Sequence, residues 1–546
     1  MTEFKKFILY SISFYILYTI ALYFLGFFSI GLLSDDYLNF YDALHSTFFQ
    51  KITGSLPFTN AFHIRPIYYL SLEKSVNIHD WFGFAAEDFI WYRAQNLVLL
   101  LFIAFAAGCT VFYRTKKVSV SLVTSAAILL FPNNINNICW TAARVDLLCC
   151  LFYLITILLF IIYLDRNKPV YMVIALVTFI LALLTKELAI TLPFTAMLIG
   201  YYKFGKEGLK KASVMLVLLL VLLISYFIFR ILILGNNITE IATLYQANPL
   251  GNAPGVLARA FISLTIPMDY LSLNYQLRND SKPILLYLLV LYGAGFYLIW
   301  SAVRTDIYRL IGQAALLFFV LIAPYTIVGY IRPQMILLPF VIMTIHIMYT
   351  YSSQSKLSIR LNKNILRACF AVALLFWGYW TGTAVTDWGT SYRLAKVNVE
   401  NLIRLEKPKD KKMILIGNPG RYKQTFMFDK MTGAYNFWKT RNFEINDTIN
   451  DIIQTAAIEE GSIGAKPEVK SLGQNVFEIR TKAPKHFFYI EGYDNERIRS
   501  GFKNEQISVE FTEYNNIDKP VRMILKILSP DVACYLAGNL DFERIY

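Results

Sequence analysis

The chain has 546 residues, of which 56% are hydrophobic and 16% charged, with a mean hydropathy of +0.46. Soluble domains carry charge on about a quarter of their residues, so this balance excludes a soluble globular protein and implies a polytopic α-helical membrane protein. The net charge of +14 would suit a nucleic-acid partner, but the basic residues sit mainly in short joints between apolar runs, where they orient helices, and no nucleic acid is expected.

The run from Phe7 to Leu33 follows Lys5 and Lys6. It is too long for a signal-peptide core and no small-residue cleavage site follows it, so it is expected to remain as a helix that starts in the cytoplasm. Further apolar runs predict helices near 90–112, 118–132, 146–164, 169–185, 188–202, 212–234, 283–303, 308–328, 333–352 and 366–386, about eleven spans in all. The joints with Arg114/Lys116/Lys117, Arg166/Lys168, Lys203/Lys206/Lys210/Lys211, Arg304/Arg309 and Lys356/Arg360/Lys363/Arg367 share the N-terminal side in this count and mark it as cytoplasmic. An odd count sends the C-terminus to the opposite face. The expected division is therefore a membrane domain at 1–386, with a first extracytoplasmic loop at 34–89, and an extracytoplasmic soluble domain at 387–546.

Between the spans, Pro57–Leu72 and Gly255–Leu273 are apolar but interrupted by Arg65, Pro66, Arg259 and Pro267, and they read as helices at the outer interface. In the tail, strand-like runs at Met413–Gly417, Val476–Arg480, Phe487–Ile490, Ile507–Phe511 and Val521–Ile527 predict an α/β or β-rich domain. Its aromatics Tyr422, Phe426, Tyr435, Phe437 and Trp438 are either a sugar-stacking surface or core. Of the cysteines, Cys109, Cys139, Cys149, Cys150 and Cys369 lie in or beside apolar runs and Cys534 lies in the tail, with no CxxC spacing. Neither a disulfide framework nor a zinc site is implied.

Ionisable side chains in membrane segments are costly unless paired or lining a cavity, so they are the candidates for function. Asp35 and Asp36 follow the first run directly. Their repulsion should raise one pKa, and a partly buried Asp can take a proton from an acceptor hydroxyl; the same pair serves equally well as a helix-end cap or a solvated loop. Lys186 and Glu187 stand between two short apolar runs, where an ammonium positioned by a carboxylate can neutralise a phosphate, or where a lysine at an ordinary hairpin snorkels to water. Arg144 and Asp146 are two apart, so they do not face each other on a helix and are expected to pair elsewhere, Asp146 chiefly as a packing salt bridge. Arg332 before Pro333 and Arg65 before Pro66 place guanidinium forks at the outer face, suited to phosphate oxygens or to snorkelling. His63 is more often a packed histidine than a ligand.

The order of these pieces resembles the GT-C superfamily of polyprenyl-phosphate-sugar-dependent glycosyltransferases, and most of all the membrane region of the transmembrane TPR-containing O-mannosyltransferases and their bacterial relatives. The matching series is Ser34-Asp-Asp-Tyr, His63-Ile-Arg-Pro-Ile-Tyr-Tyr, Tyr92-Arg-Ala-Gln-Asn-Leu, Leu130-Phe-Pro, Trp140-Thr-Ala-Ala-Arg-Val-Asp-Leu-Leu, Leu184-Thr-Lys-Glu-Leu-Ala-Ile-Thr-Leu-Pro, Phe229-Arg-Ile-Leu-Ile-Leu-Gly, Asn248-Pro-Leu and Ile266-Pro-Met-Asp-Tyr, collinear over about residues 30–340. Two departures stand out. Where that family carries a His and a Glu between the Pro and the Trp, this chain has Asn133, Asn134, Asn136 and Asn137, and no TPR array follows.

The resemblance implies an inverting transfer of a sugar from a polyprenyl-phosphate donor to an acceptor hydroxyl of a protein, lipid or glycan, at the extracytoplasmic face of the cytoplasmic membrane. Asp35 or Asp36 would be the base. Lys186, Arg332 and possible partners Arg144 and Arg65 would hold the lipid phosphate, supported by Glu187, Asp146 and His63. An Asp pair is a thin oxygen cage, so no metal or other cofactor is expected. A transporter or flippase of a polyprenyl-linked glycan is the alternative; it predicts charges near the bilayer midplane and gating on both sides, whereas these charges favour one face.

Overall fold

The structure is a computed structural model that describes residues 2–58, 64–235, 249–266, 273, 281–301, 305–353, 363–405, 411–422, 425–428, 431–443, 449–457, 466–480, 486–490, 501–512, 522–538 and 541–546. In chain order its helices are α1 Glu3–Phe24, α2 Asp36–His45, α3 Phe48–Thr53, α4 Pro66–Trp81, α5 Ile90–Thr115, α6 Val118–Leu130, α7 Ile135–Cys139, α8 Arg144–Arg166, α9 Pro169–Leu183, α10 Leu192–Leu234, α11 Pro249–Thr265, α12 Ser281–Ser301, α13 Thr305–Val328, α14 Leu337–Ser353, α15 Lys363–Arg404 and α16 Met431–Thr440. Strands occur only after α15 among the described residues. The chain divides into two compact units, Met1–Phe28 with Ser46–Ser75 and Trp91–Val385, and Ser29–His45 with Val76–Ile90 and Thr386–Tyr546.

The first unit is a helical membrane bundle. Among the described residues, Glu3–Phe24, Ile90–Thr115, Thr141–Arg166, Gly205–Ile233, Leu310–Val328 and Pro333–Thr350 are long and apolar enough to cross a membrane, and Val118–Leu130 with Pro132–Cys139, bent by 58°, forms a further broken span. Pro169–Leu183, Glu187–Tyr202 and Ile284–Gly293 are shorter apolar helices. All eleven expected runs therefore overlap helix, but several fall below the length of about 20 residues that a full span needs. Ile12 and Ile16 of α1, Val173 and Val177 of α9, and Val217 and Val221 of α10 remain exposed. Such apolar faces are soluble only in lipid, and the chain is a multi-pass membrane protein.

Two boundaries differ from expectation for physical reasons. The first helix stops at Phe24, not Leu33, because Gly26 turns to a positive φ of 80° and a short 3-10 turn follows at Phe27–Ser29. The apolar residues beyond it, Ile30, Leu32 and Leu33, are at most 1% exposed and belong to the core of the second unit instead of to a span. At the other end, α15 continues far past the apolar run, to Arg404. Similarly, the runs near 188–202 and 212–234 form one helical element, α10, broken where Gly205 adopts φ 62° and ψ −145°.

The second unit holds two sheets. One has β11 (Asp541–Arg544), β10 (Val532–Gly538), β1 (Lys412–Tyr422), β3 (Ile449–Ala457) and β6 (His486–Ile490) in that order, with β2 (Thr425–Phe426) paired to β1; β10 and β3 run parallel to β1. The other is antiparallel, in the order β4 (Glu468–Gly473), β5 (Val476–Arg480), β9 (Arg522–Ile527), β8 (Ile507–Thr512), β7 (Gly501–Lys503). Alternate residues of four strands build the core between them: Ile414 and Ile416, Ile507, Val509 and Phe511, Met523, Leu525 and Ile527, Val532, Cys534 and Leu536. This two-residue period is what a strand offers to one face. Met413 and Leu415 are also buried, so β1 is covered on both faces, as parallel neighbours favour.

Truncating the inter-sheet core tests this packing. Leu525→Ala is expected to cost about 2–5 kcal/mol, read as a lower melting temperature of the purified protein in detergent.

Candidate functional site

The charged residues of the membrane unit meet where helices break. α9 ends when the Thr185 and Lys186 N–H groups both donate to the Ala182 carbonyl, at 3.1 and 3.0 Å. Lys186 is then extended, with φ −155° and ψ 143°, before a 3-10 turn at Glu187–Thr191 leads into α10. This break points two consecutive charged side chains to different partners. Lys186 Nζ donates to Asp146, and both side chains are nearly buried. Glu187 accepts from two guanidiniums, Arg65 Nη2 at 2.9 Å and Arg230 Nη1 at 3.1 Å. Arg230 also donates to Tyr226 Oη one turn earlier on α10, at 3.1 Å.

Arg65 reaches Glu187 because its loop is tied to the same break. The Ile67 N–H donates to the Leu184 carbonyl at 3.3 Å, and Pro66 opens α4 at a position where a missing N–H costs nothing. Burial disfavours the charge on Arg65, yet the Glu187 carboxylate outweighs it and raises the guanidinium pKa.

A second strand of the network starts at Arg144, on the first turn of α8. Its Nε donates to Asn96 Oδ1 at 2.9 Å, and its terminal nitrogens reach the Ser71 and Tyr92 carbonyls at 3.4 Å. Asn96 in turn donates to the Asn137 and Trp140 carbonyls, both at 3.1 Å. Arg93 donates to the Cys139 carbonyl. These contacts satisfy the backbone of the broken stretch between α6 and α8, where the last carbonyls of short helices have no partner of their own. Arg332 lies against the same stretch, with its guanidinium 6.0 Å from the Trp140 ring and 5.3 Å from Tyr330. The four asparagines of this stretch are buried, and three of them serve backbone carbonyls: Asn133 donates to Ser263 O at 2.7 Å, Asn134 to Ile128 O at 2.6 Å and Asn136 to Asn133 O at 3.3 Å.

The acid pair lies in the second unit, where the two carboxylates differ. Asp36 is 1% exposed and its Oδ2 accepts the Leu33 N–H at 3.1 Å, closing a turn at the start of α2. Asp35 is half-buried, and its carbonyl accepts both the backbone and side-chain N–H groups of Asn39, at 2.9 and 2.8 Å. Between them and Leu33, Ser34 takes a left-handed φ of 57° and donates its N–H to the Met427 carbonyl at 3.0 Å. That conformation costs about 1–3 kcal/mol in a residue with a side chain and persists only where surroundings impose it.

Sequence reasoning placed Arg65 and Glu187, and Asp146 and Lys186, among the candidates, and these are the groups that pair. Arg332 lies against the Trp140 and Tyr330 rings, and His63 lies outside the described residues. Arg230, a charge inside an apolar run, was a candidate without an assigned role, and Asn96 stood only in the motif series. In the tail, Tyr422, Tyr435, Phe437 and Trp438 are at most 5% exposed, so they are core and not a stacking surface. The Phe426 side chain lies outside the described residues. Among the described residues no three His, Cys, Asp or Glu side chains group as they would around a metal ion.

Removing one partner of the Lys186–Asp146 pair should leave a buried charge uncompensated. Asp146→Leu is expected to destabilise the protein by about 3–5 kcal/mol, and adding Lys186→Met should restore most of it, both measured by thermal unfolding in detergent.

No family model and no curated protein matches this chain. Among solved structures it is similar to the Archaeoglobus fulgidus oligosaccharyltransferase crystallised in complex with Zn and sulfate, with a TM-score of 0.40 and 11% identity over 78% of this chain and 64% of that one. It thus spans less than two thirds of that protein's length. It is also similar to ArnT from Cupriavidus metallidurans in the apo state, with a TM-score of 0.41 and 12% identity over 84% of this chain and 96% of that one. For ArnT bound to undecaprenyl phosphate the TM-score is 0.43, at 12% identity over 82% and 93% of the two chains.

Proposed function

We propose that the chain is an inverting glycosyltransferase of the GT-C type, which moves a sugar from a polyprenyl-phosphate donor to a hydroxyl of a protein, lipid or glycan acceptor at the extracytoplasmic face of the cytoplasmic membrane. The observation that carries this reading is a cluster of cationic side chains at one helix break. Arg65, Lys186 and Arg230 gather around the carboxylates of Asp146 and Glu187, beside the break at Thr185–Glu187. Guanidinium and ammonium groups gathered in a low-dielectric site suit an anionic guest such as a phosphate.

A sugar phosphodiester carries one negative charge, and the polyprenyl phosphate monoester that departs carries about −1.5 to −2. A cationic site therefore attracts the departing group more than the bound donor. That difference, not binding as such, is what lowers a barrier. The motif series given above supports the same reading, with Arg230 added as a donor-side residue.

On the acceptor side the reading assigns the base to Asp35. Asp35 is the more exposed of the pair, half-buried where Asp36 is 1% exposed and closes its turn on the Leu33 amide. Asp35 would take the acceptor hydroxyl proton as the oxygen attacks the anomeric carbon opposite the phosphate. The bond from that carbon to the phosphate oxygen breaks, its electron pair leaves with the phosphate, and the anomeric configuration inverts.

The test is release of polyprenyl phosphate by purified protein offered a panel of polyprenyl-phosphate sugars. Asp35→Asn should lower turnover by roughly 100-fold or more, and Lys186→Met and Arg230→Ala should each lower transfer at fixed donor. Full activity in both Asp35→Asn and Asp36→Asn would remove the base assignment. Movement of intact donor across vesicle membranes without release of the sugar would favour the flippase.

A further inference from the structure

The strand-rich unit is assembled from three distant pieces of sequence, and the turn that carries the acid pair is one of them. α2 packs against α16 through aromatic rings: Tyr37 lies 5.3 Å from Phe437, and Phe40 lies 4.8 Å from Phe443. Gly433 lets the two helices come close here, since a Cβ there would sit 3.0 Å from Tyr37 Cβ and 3.0 Å from Leu38 Cδ2 and the neighbours would have to give by a few tenths of an ångström. A chain of hydrogen bonds runs through the same place. Trp438 Nε1–H donates to Tyr37 Oη at 3.1 Å, and Tyr37 O–H donates to the Leu32 carbonyl at 3.2 Å. The next two N–H groups, of Leu33 and Ser34, go to Asp36 and Met427.

Trp438 is itself fixed. Lys396 Nζ lies 4.8 Å above its ring and the Arg441 guanidinium 4.7 Å from it. Glu87 pairs with both cations, at 3.8 and 3.0 Å. The indole is thus held by two cation–π contacts that share one carboxylate, an arrangement that leaves it little freedom to rotate.

We propose that Trp438 and Tyr37 are positioning residues for the acid turn: the indole orients the tyrosine hydroxyl, which holds the Leu32 carbonyl and keeps the strained Ser34–Asp36 segment in the single geometry from which Asp35 acts. The inference rests on Asp35 as the base. It assigns the C-terminal strand-rich region a part in turnover, through the placement of a carboxylate presented by a turn some 400 residues earlier in the chain. A left-handed serine does not hold its conformation unaided, so loosening its supports should spread the carboxylate over several positions. Misplacement on the ångström scale is enough to lower rates strongly.

Tyr37→Phe removes the hydroxyl and keeps the ring; Trp438→Phe removes the N–H donor. In full-length protein each should lower kcat by roughly 10- to 100-fold with the donor KM within about twofold, the split expected when a geometry used only in turnover is lost. Amide hydrogen exchange at Leu33 and Ser34 should quicken while β1 and β9 stay protected. Unchanged kcat in Tyr37→Phe, with or without faster exchange, overturns the proposal, as does a fall in kcat matched by a proportional rise in KM. If Trp438→Phe loses protection throughout the strands, Tyr37→Phe decides alone. Asp35→Asn separates the two ideas: full activity there removes the base assignment, whereas normal kcat in Tyr37→Phe beside an inactive Asp35→Asn removes only the positioning role.

Discussion

The membrane unit depends on keeping charge in a medium that rejects it. Each ion moved from water into a protein interior costs several kcal/mol even after relaxation, and attraction between partners repays this only with good geometry. Here the cost has shaped the backbone. The break at Thr185–Glu187 lets two adjacent residues face different partners, Lys186 towards Asp146 and Glu187 towards Arg65 and Arg230. An unbroken helix would set consecutive side chains about 100° apart, with no freedom to choose. The irregular stretch between α6 and α8 follows the same logic, since Arg93 and Asn96 donate to its carbonyls and Arg144 holds the Asn96 amide oxygen. Irregular backbone at membrane depth is tolerated only where protein groups satisfy it.

The second unit rests on a different constraint. Its two sheets bury an alternating apolar set that is complete without the membrane, yet the unit also recruits Ser29–His45 and Val76–Ile90 from between membrane helices. Gly31 marks how tightly: a Cβ there would fall 2.2 Å from the Tyr392 ring. The segments flanking the first loop are therefore structural parts of the strand-rich unit, and the acidic turn has its supports there.

How far the sequence could be read depended on the range of the forces involved. Period-2 and long apolar runs are local signals, which is why β5 at Val476–Arg480 and β8 at Ile507–Thr512 lie where alternation placed them. β10 at Val532–Gly538, with Ala, Cys and Gly among its residues, carries no such alternation, because it is covered on both faces and paired in parallel. The end of α1 was misplaced for a related reason: residues 30–33 are as apolar as any span, and only tertiary burial tells a protein core from lipid. In the site, residue type pointed to Lys186, Glu187, Arg65 and Asp146 as costly charges. The partners were not readable, since Arg65 meets Glu187 across 122 positions and Asp146 meets Lys186 across 40. The groups that Asn96 serves were no more readable, because a buried amide is identified only by what it satisfies.

The acid pair shows why neighbours of the same type need not share a role. From sequence the two carboxylates are equivalent, and their mutual repulsion was the only asymmetry available. In the fold the asymmetry comes from the backbone: Asp36 opens α2 and turns its oxygen back onto the Leu33 amide, the use that short acidic side chains find at helix starts. A group that closes a turn cannot move away from it without opening the strained Ser34 beside it. The Asp35 carbonyl accepts both N–H groups of Asn39 in the first turn of α2, while Tyr37 holds the Leu32 carbonyl on the other side of Ser34. Adjacent aspartates thus differ in what the backbone makes of them, and the difference follows from which of them supplies the first residue of the helix.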